Sequence, residues 1–380
     1  MSRKTSTKTQ LAVLMGVMAV MAATAQAPTS LKEAYRGDFV IGAAINSAQI
    51  TGQDSSGDAI IVTQFNSISP ENCLKWENIH PQPGVYAFDI PDQYVAFGKK
   101  HHMFIVGHNL VWHNQTPAWV FRNEKGELVD RDTLLKRLRD HIHTVVGRYK
   151  GRIQSWDVVN EALNEDGTLR QSMWLKIIGE DYIAKAFQYA HEADPQAQLT
   201  YNDYALENEV KRKGALALIA GLKAQGIPVT SVGLQGHNSL TWPSIEDEDT
   251  TISAFAKLGV KVVISELDID VLPHAARQQG AEASLKVQQD PKLNPYTSGL
   301  PQTVQQELAK RYADLFGVYL KHRDVITRVT FWCVTDRDSW LNDWPVKGRT
   351  SYPLLFDRAG QPKPAFQAVI QAATSVKTIN

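Results

Sequence analysis

Two glutamates, Glu161 and Glu266, each close an apolar run that holds no basic residue, with Asn160 before the first and Asp268 two places beyond the second. Neither carboxylate has a neighbour in sequence to neutralise it. Facing each other across a sugar, two such groups cleave a glycosidic bond. One protonates the departing oxygen, and the other attacks the anomeric carbon or activates water. At a separation of about 5.5 Å and an effective dielectric near 20, their repulsion is about 3 kcal/mol. That amounts to roughly two pKa units, enough to lift one Glu from about 4.3 to above 6 while the other stays ionised. The plainer reading pairs each carboxylate with a nearby Arg or Lys, and geometry decides between the two.

Other apolar runs also stop in polar or aromatic clusters. These are Glu71-Asn72-Cys73-Leu74-Lys75-Trp76-Glu77, His108-Asn109-Leu110-Val111-Trp112-His113-Asn114-Gln115, Tyr201-Asn202-Asp203-Tyr204, Gln235-Gly236-His237 and Trp332-Cys333-Val334-Thr335-Asp336. One such cluster is ordinarily a helix cap or a satisfied hydrogen bond. Seven opening on one rim indicate a site. Trp112, Trp332 and Trp340 lie in or just beyond these clusters, alongside Trp76, Trp119 and Trp344. A lone Trp is usually core. Several among Asn, Gln, His and Glu fit a cleft for pyranose rings, whose C–H faces pack on indole.

The elements that must carry these residues are short strands alternating with amphipathic helices. Strands are expected at Phe39–Ala44, Ser67–Glu71, Met103–Gly107, Ser155–Asn160, Leu199–Asn202, Val232–Gln235, Val262–Glu266 and Val329–Cys333. Their nearly unbroken apolar character belongs to a sheet covered on both faces. Leu134, Leu135, Leu138, Ile142, Val145, Val146 and Tyr149 keep a helical period across Arg131–Tyr149, as do Val304, Leu308, Tyr312, Leu315 and Tyr319. Asp92–Lys100, Ser172–Glu192, Glu209–Gln225 and Asp247–Leu258 fill the other gaps. Eight such repeats predict an α/β fold, a single (β/α)8 TIM barrel with its cleft at the C-terminal ends of the strands. A doubly wound open sheet is the rival, but no Gly-rich phosphate turn follows the first strand.

The chain of 380 residues balances 40 basic against 40 acidic residues and is 43% hydrophobic, so disordered and fibrous classes are excluded. Arg3, Lys4 and Lys8 precede an apolar run from Leu11 to Ala23, and Ala23-Thr24-Ala25 offers a small-residue cleavage site. This is the pattern of an export signal over residues 1–25, cut after Ala25 or, alternatively, Ala27. Its loss takes three positive charges, leaving 37 basic against 40 acidic residues and a net charge near −3. The expected destination is secreted, periplasmic or cell-surface associated, with no membrane span in the mature chain. A weakly acidic chain without a basic block is a poor ligand for nucleic acid. Cys73 and Cys333, the two cysteines, exclude a Cys-rich scaffold and are expected as buried free thiols.

At these motifs the sequence resembles the family 10 glycoside hydrolases, the (β/α)8 endo-β-1,4-xylanases, over about residues 30 to 375. The resemblance rests on Glu71-Asn72-x-x-Lys75-Trp76-Glu77, Gly107-His108-x-Leu110-Val111-Trp112-His113, Trp156-Asp157-Val158-Val159-Asn160-Glu161, Leu234-Gln235-Gly236-His237, Ile264-Ser265-Glu266-Leu267-Asp268, and Trp332 with Trp340. It implies Glu161 as acid/base and Glu266 as nucleophile, with retention of configuration. Asn160 would hold the sugar 2-hydroxyl, His237 would bond Glu266, Asp268 would orient His237, and Gln235 would lie near Glu161. Glu71, Asn72, Lys75, His108 and Trp112 match residues that bind the non-reducing-side sugars, and Trp332 and Trp340 would form floor and wall. Gln115 and Trp340 would crowd the place of a C6 hydroxymethyl, favouring xylose. The implied partners are xylan and xylo-oligosaccharides; a monomer without cofactor or metal is expected. Asp270 to Gln302 is long for a loop, and Tyr296 within it is expected to shape the leaving-group side. The chain ends at Asn380 with no appended carbohydrate-binding module, an expectation of accessible or soluble xylan.

Three readings compete. A metal-dependent hydrolase would draw on His101-His102 or His141-Ile142-His143, which join no carboxylates at ligand spacing. A xylan-binding protein on a retired barrel would have no need of both carboxylates with His237 and Asp268. A β-1,4-glucanase or a transglycosylase would use the same residues.

Overall fold

The computed structural model describes residues 29–273 and 287–377. The proposed export signal and part of the loop after Asp270 lie outside these residues. Among the described residues nine strands form: β1 (Val40–Ile45), β2 (Ser67–Pro70), β3 (Phe104–Val111), β4 (Ser155–Asn160), β5 (Gln198–Asp203), β6 (Ser231–Leu234), β7 (His237–Ser239), β8 (Lys261–Asp270) and β9 (Ile326–Phe331). All their pairings are parallel, in the order β6-β5-β4-β3-β2-β1-β9-β8. Pairing of β6 with β8 closes the ring, which makes an eight-stranded (β/α)8 barrel and excludes the open sheet. The three-residue β7 is additional, pairing only with the end of β8.

The strand residues are buried almost throughout because helices cover the outside and side chains fill the inside. The helix Arg131–Arg148 begins where Asp130 accepts a hydrogen bond from the Thr133 amide, and buries Leu134, Leu138, Ile142, Val145 and Val146 against the sheet. The helix expected over Ser172–Glu192 is two, Met173–Ile178 and Tyr182–Ala193. Gly179, at φ +98°, breaks it in a conformation that a side chain would oppose. Cys73 and Cys333 are buried free thiols.

Gly107 of β3 lies opposite Trp156 of β4, whose indole packs flat against the glycine backbone. A Cβ at Gly107 would stand 2.1 Å from the Trp156 ring. Gly107→Ala therefore forces the ring out of a filled barrel, and a loss of about 3 kcal/mol or more is expected in denaturant unfolding. Gly147→Ala, on an exposed helix face with no atom within 4 Å of the added Cβ, is the matched control, expected neutral or slightly stabilising. Equal midpoints for the two variants would contradict the packing argument.

Candidate active site

All eight barrel strands end on one rim, and thirteen residues there enclose a cavity of about 190 Å³: Glu71, Asn72, Lys75, His108, Trp112, Gln115, Asn160, Glu161, Gln235, His237, Glu266, Trp332 and Trp340. Each is a residue singled out from sequence. Asp268 stands immediately behind His237. Tyr296 does not line this cavity; it is half-buried, and its backbone carbonyl accepts from the Tyr352 hydroxyl at 2.6 Å. Trp344 packs against Trp340 with ring centres 4.5 Å apart. Trp76 is buried, stacked at 3.6 Å on His141, and Trp119 meets His80 edge-on. His143 pairs with Glu192 at 3.1 Å, so neither histidine of the helical pair reaches the cavity.

The two carboxylates come from different kinds of backbone. Glu161 is the first residue beyond β4 and sits at φ +56°. Glu266 lies inside β8, two residues from Asp268, so the period-2 pleat turns both toward the same face. The β8–β9 register shifts between Ile264 and Leu267, an irregularity that re-aims the strand at Glu266. Gly236, at φ +76°, separates β6 from β7 and brings His237 into register opposite Asp268.

Both carboxylates are buried, and among the described residues neither pairs with an Arg or Lys. Glu161 Oε2 accepts from Trp112 Nε1 at 2.7 Å, and its Oε1 from Gln235 Nε2 at 3.0 Å and Asn160 Nδ2 at 3.3 Å. Burial holds its pKa above the usual glutamate range, despite the opposing His113 charge and the bonds from Gln235 and Trp112. Glu266 Oε1 accepts from Asn202 Nδ2 at 2.7 Å, and Oε2 lies 3.3 Å from His237 Nε2. Burial alone would raise Glu266 too. The His237 hydrogen bond, the His108 and His237 charges and the Asn202 bond outweigh it and hold Glu266 below its ordinary value. Two buried glutamates in one cavity thus carry opposite shifts.

His237 has a carboxylate on each side, Glu266 at Nε2 and Asp268 at Nδ1, the latter 3.0 Å away. Ionised carboxylates only accept, so the ring donates from both nitrogens and is positively charged. Burial works against that charge. The Asp268 charge and the hydrogen bonds to Asp268 and Glu266 prevail, pushing the ring up to about 10. Trp340 Nε1 donates to the other oxygen of Asp268 at 2.7 Å, and the Trp340 ring leans on His237 at 4.8 Å. Trp332 meets both His108 and His237 edge-on.

A folded-state pKa above the ordinary 6.5 means His237 contributes stability fully below about pH 6.5, and that contribution is lost as pH rises through about 10. Unfolding free energy is therefore expected to fall across that window, by at most about 1.4 kcal/mol per pH unit from this one proton. His237→Asn should flatten the slope. An unchanged slope in chemical denaturation would remove the imidazolium from the account.

The remaining lining residues brace one another. Lys75 Nζ donates to Asn72 Oδ1 at 3.0 Å and lies 5.2 Å from the centre of the Trp112 ring. Burial lowers the Lys75 pKa against the opposing Glu71 charge, and burial likewise raises Glu71. Gln115 donates to Glu77 at 2.7 Å. His108 Nδ1 lies 3.0 Å from Asp157. Three participants were not singled out from sequence: Asp157, Asn202 and Ser265. Asn202 donates to both Asn160 Oδ1, at 2.8 Å, and Glu266, while Ser265 Oγ donates to Asn202 Oδ1 at 2.5 Å. Asn202 lay in the polar cluster ending β5, the one signal for it in the sequence.

The family model described as Glycosyl hydrolase family 10 matches residues 30–372. Endo-1,4-beta-xylanase A of Xylanibacter ruminicola is 44% identical over 351 residues, covering 92% of this chain and 95% of the relative. Endo-1,4-beta-xylanase of Geobacillus stearothermophilus is 40% identical over 343 residues, covering 90% and 98%. Among solved structures, a GH10 endoxylanase retrieved from sugarcane soil metagenome superimposes with TM-score 0.88 at 49% identity, covering 90% of this chain and 99% of that one. Xylanase XynB from Paenibacillus barcinonensis, complexed with a conduramine derivative, gives 0.82 at 38% identity, covering 92% and 99%. With the closed barrel, the paired carboxylates and the near full-length match in agreement, the chain belongs to glycosyl hydrolase family 10.

Proposed function

We propose that this chain is a retaining endo-β-1,4-xylanase, hydrolysing internal β-1,4 bonds of xylan and xylo-oligosaccharides through a covalent glycosyl-enzyme intermediate. The observation that carries the reading is the pair of buried carboxylates with opposite pKa shifts in one sugar-sized cavity. The names of the relatives support the substrate. Glu161, held protonated, gives its proton to the glycosidic oxygen as a carboxylate oxygen of Glu266 attacks the anomeric carbon from the opposite face. The Glu161 carboxylate then takes a proton from water as that water attacks the same carbon and releases Glu266. His237 keeps Glu266 ionised, and Asp268 with Trp340 keeps His237 oriented.

Asn160 holds the 2-hydroxyl beside the nucleophile, and Gln235 steadies the acid/base. Glu71, Asn72, Lys75, His108 and Trp112 bind the non-reducing-side sugars over a floor and wall of Trp332 and Trp340. Gln115 and Trp340 exclude a C6 hydroxymethyl by volume, a discrimination of about 1–3 kcal/mol in such pockets. Residues 1–25 act as an export signal and 30–375 form one catalytic domain, placing a monomeric enzyme outside the cytoplasm. Among the described residues no helix is long and apolar enough to cross a membrane.

Product analysis on decorated xylan, with carboxymethylcellulose in parallel, tests the reading. New reducing ends from xylan, internal cuts and initial β products are expected. Equal rates on both polymers would make it a glucanase. Xylan binding without cleavage would make it a binding protein.

A further inference from the structure

The chain turns off β4 at Glu161 through a left-handed conformation that side chains rarely adopt, so something must hold the backbone there. Both polar groups of its main chain are held. Its N–H donates to the Asn202 carbonyl of β5 at 2.8 Å. Its C=O accepts from Nε of Arg170, nine residues on, at 3.2 Å. Nη2 of the same guanidinium donates to the Leu163 carbonyl at 3.4 Å and to the Tyr204 hydroxyl at 3.0 Å.

Arg170 is itself fixed by a small hairpin. Its N–H donates to the Ala162 carbonyl at 2.8 Å, and Leu163 bridges Leu169. The turn at Gly167 presses on the helix Glu209–Ala224, where a Cβ on Gly214 would lie 2.3 Å from the Gly167 carbonyl oxygen. The Tyr204 ring in turn covers the buried Lys211 ammonium, which pairs with Asp203 at 3.0 Å. One planar cation thus ties the exit of β4 to the end of β5.

We infer that Arg170 is a positioning residue for the acid/base: its fork fixes the Glu161 backbone so that the carboxyl stays between Trp112 and Gln235. The inference rests on the acid/base role proposed for Glu161. The carboxyl stands at the end of a side-chain lever, so a modest rotation about the Glu161 N–Cα bond, which swings its carbonyl and its side chain together, moves the carboxyl by about 1 Å, a displacement that costs about 100-fold in comparable sites. That loss falls on substrates whose leaving group must be protonated. Substrates whose leaving group departs as a stable anion escape it.

The test measures kcat/KM, which reports the first bond cleavage, on aryl xylobiosides from phenyl to dinitrophenyl and on xylotetraose. Arg170→Met keeps the apolar stem and loses the fork. It is expected to lose about 10- to 100-fold on phenyl xylobioside and xylotetraose, and less than about 3-fold on the dinitrophenyl compound, steepening the dependence on leaving-group pKa. Arg170→Lys retains one donor head and should fall between wild type and Arg170→Met; if Arg170→Met does not fold, it carries the same comparison. Equal losses on both leaving groups, or no loss, would overturn the inference. So would a change confined to KM for longer oligosaccharides, which would make Arg170 a substrate contact. Glu161→Ala, assayed in parallel, separates the two failures: if it too shows no leaving-group dependence, the acid/base assignment falls first.

Discussion

Glu266→Ala is expected to lower turnover of xylan and of every aryl xylobioside alike, by about 10⁵- to 10⁶-fold, the scale on which loss of other covalent nucleophiles acts. A good leaving group does not help, because the missing group is the one that forms the bond to the anomeric carbon. The rest of the machinery survives: Glu161 keeps its bonds from Trp112 and Gln235, and Asn202 keeps its bond to Asn160. On the proposed roles, the space freed by the shortened side chain lies on the face opposite the acid. A small anion such as azide should enter it and restore turnover of dinitrophenyl xylobioside, giving the α-glycosyl azide, inverted relative to the β substrate. A loss below about 100-fold, or a β-azide product, would take Glu266 out of the nucleophile's role.

Glu161→Ala should behave differently in each respect. Loss of general acid assistance is worth about 10²- to 10⁴-fold on xylan. The first step on dinitrophenyl xylobioside is expected to be nearly untouched, while the second, which needs the same group as base, slows and lets the glycosyl-enzyme accumulate as a burst. Azide should now attack the intermediate and yield the β-glycosyl azide. The pH profile sharpens the assignment. Wild-type kcat/KM requires Glu266 ionised and Glu161 protonated. It should fall on the acid side below the ordinary glutamate value, where Glu266 gains its proton, and on the alkaline side above that value, where Glu161 loses one. Glu161→Ala should abolish the alkaline limb and keep the acid one. Equal damage to both substrate types, or an intact alkaline limb, would contradict the proposed roles.

Much of this arrangement is legible in the sequence alone, and the exceptions have identifiable causes. The strand Ser155–Asn160 matches its expected bounds to the residue because its apolar run stops abruptly at Asn160. Strand β8 runs four residues past the expected end and starts one residue earlier. Past Ser265 its outer half alternates Glu266, Leu267, Asp268, Ile269 and Asp270, the pattern of a strand with one face on a polar mouth, and a search for unbroken apolar runs ends there. Strand β7 is three residues of mixed character after a left-handed glycine, and nothing local announces it. The residues lining the cavity were visible because polar and aromatic side chains rarely close apolar strands without a reason. Asn202, Ser265 and Asp157 escape the sequence reading because their partners come from other strands, brought together only in the closed barrel. Their importance is a property of strand order and register in the closed barrel, which one sequence does not display. The leaving-group role assigned to Tyr296 rests on loop length alone, a cue that carries no direction.

The imidazolium of His237, fixed between Asp268 and Glu266, has an electrical consequence for the whole cycle. On the roles proposed above, a resting site with Glu161 protonated, Glu266 and Asp268 ionised and His237 cationic sums to −1. Once Glu266 is esterified and Glu161 has surrendered its proton, the sum is again −1. The unit of negative charge has only changed sides, from the wall below the sugar to the wall above. A buried site that tolerates an added ion poorly is never asked to hold one, because each half-reaction moves one negative charge between the two glutamates rather than creating another.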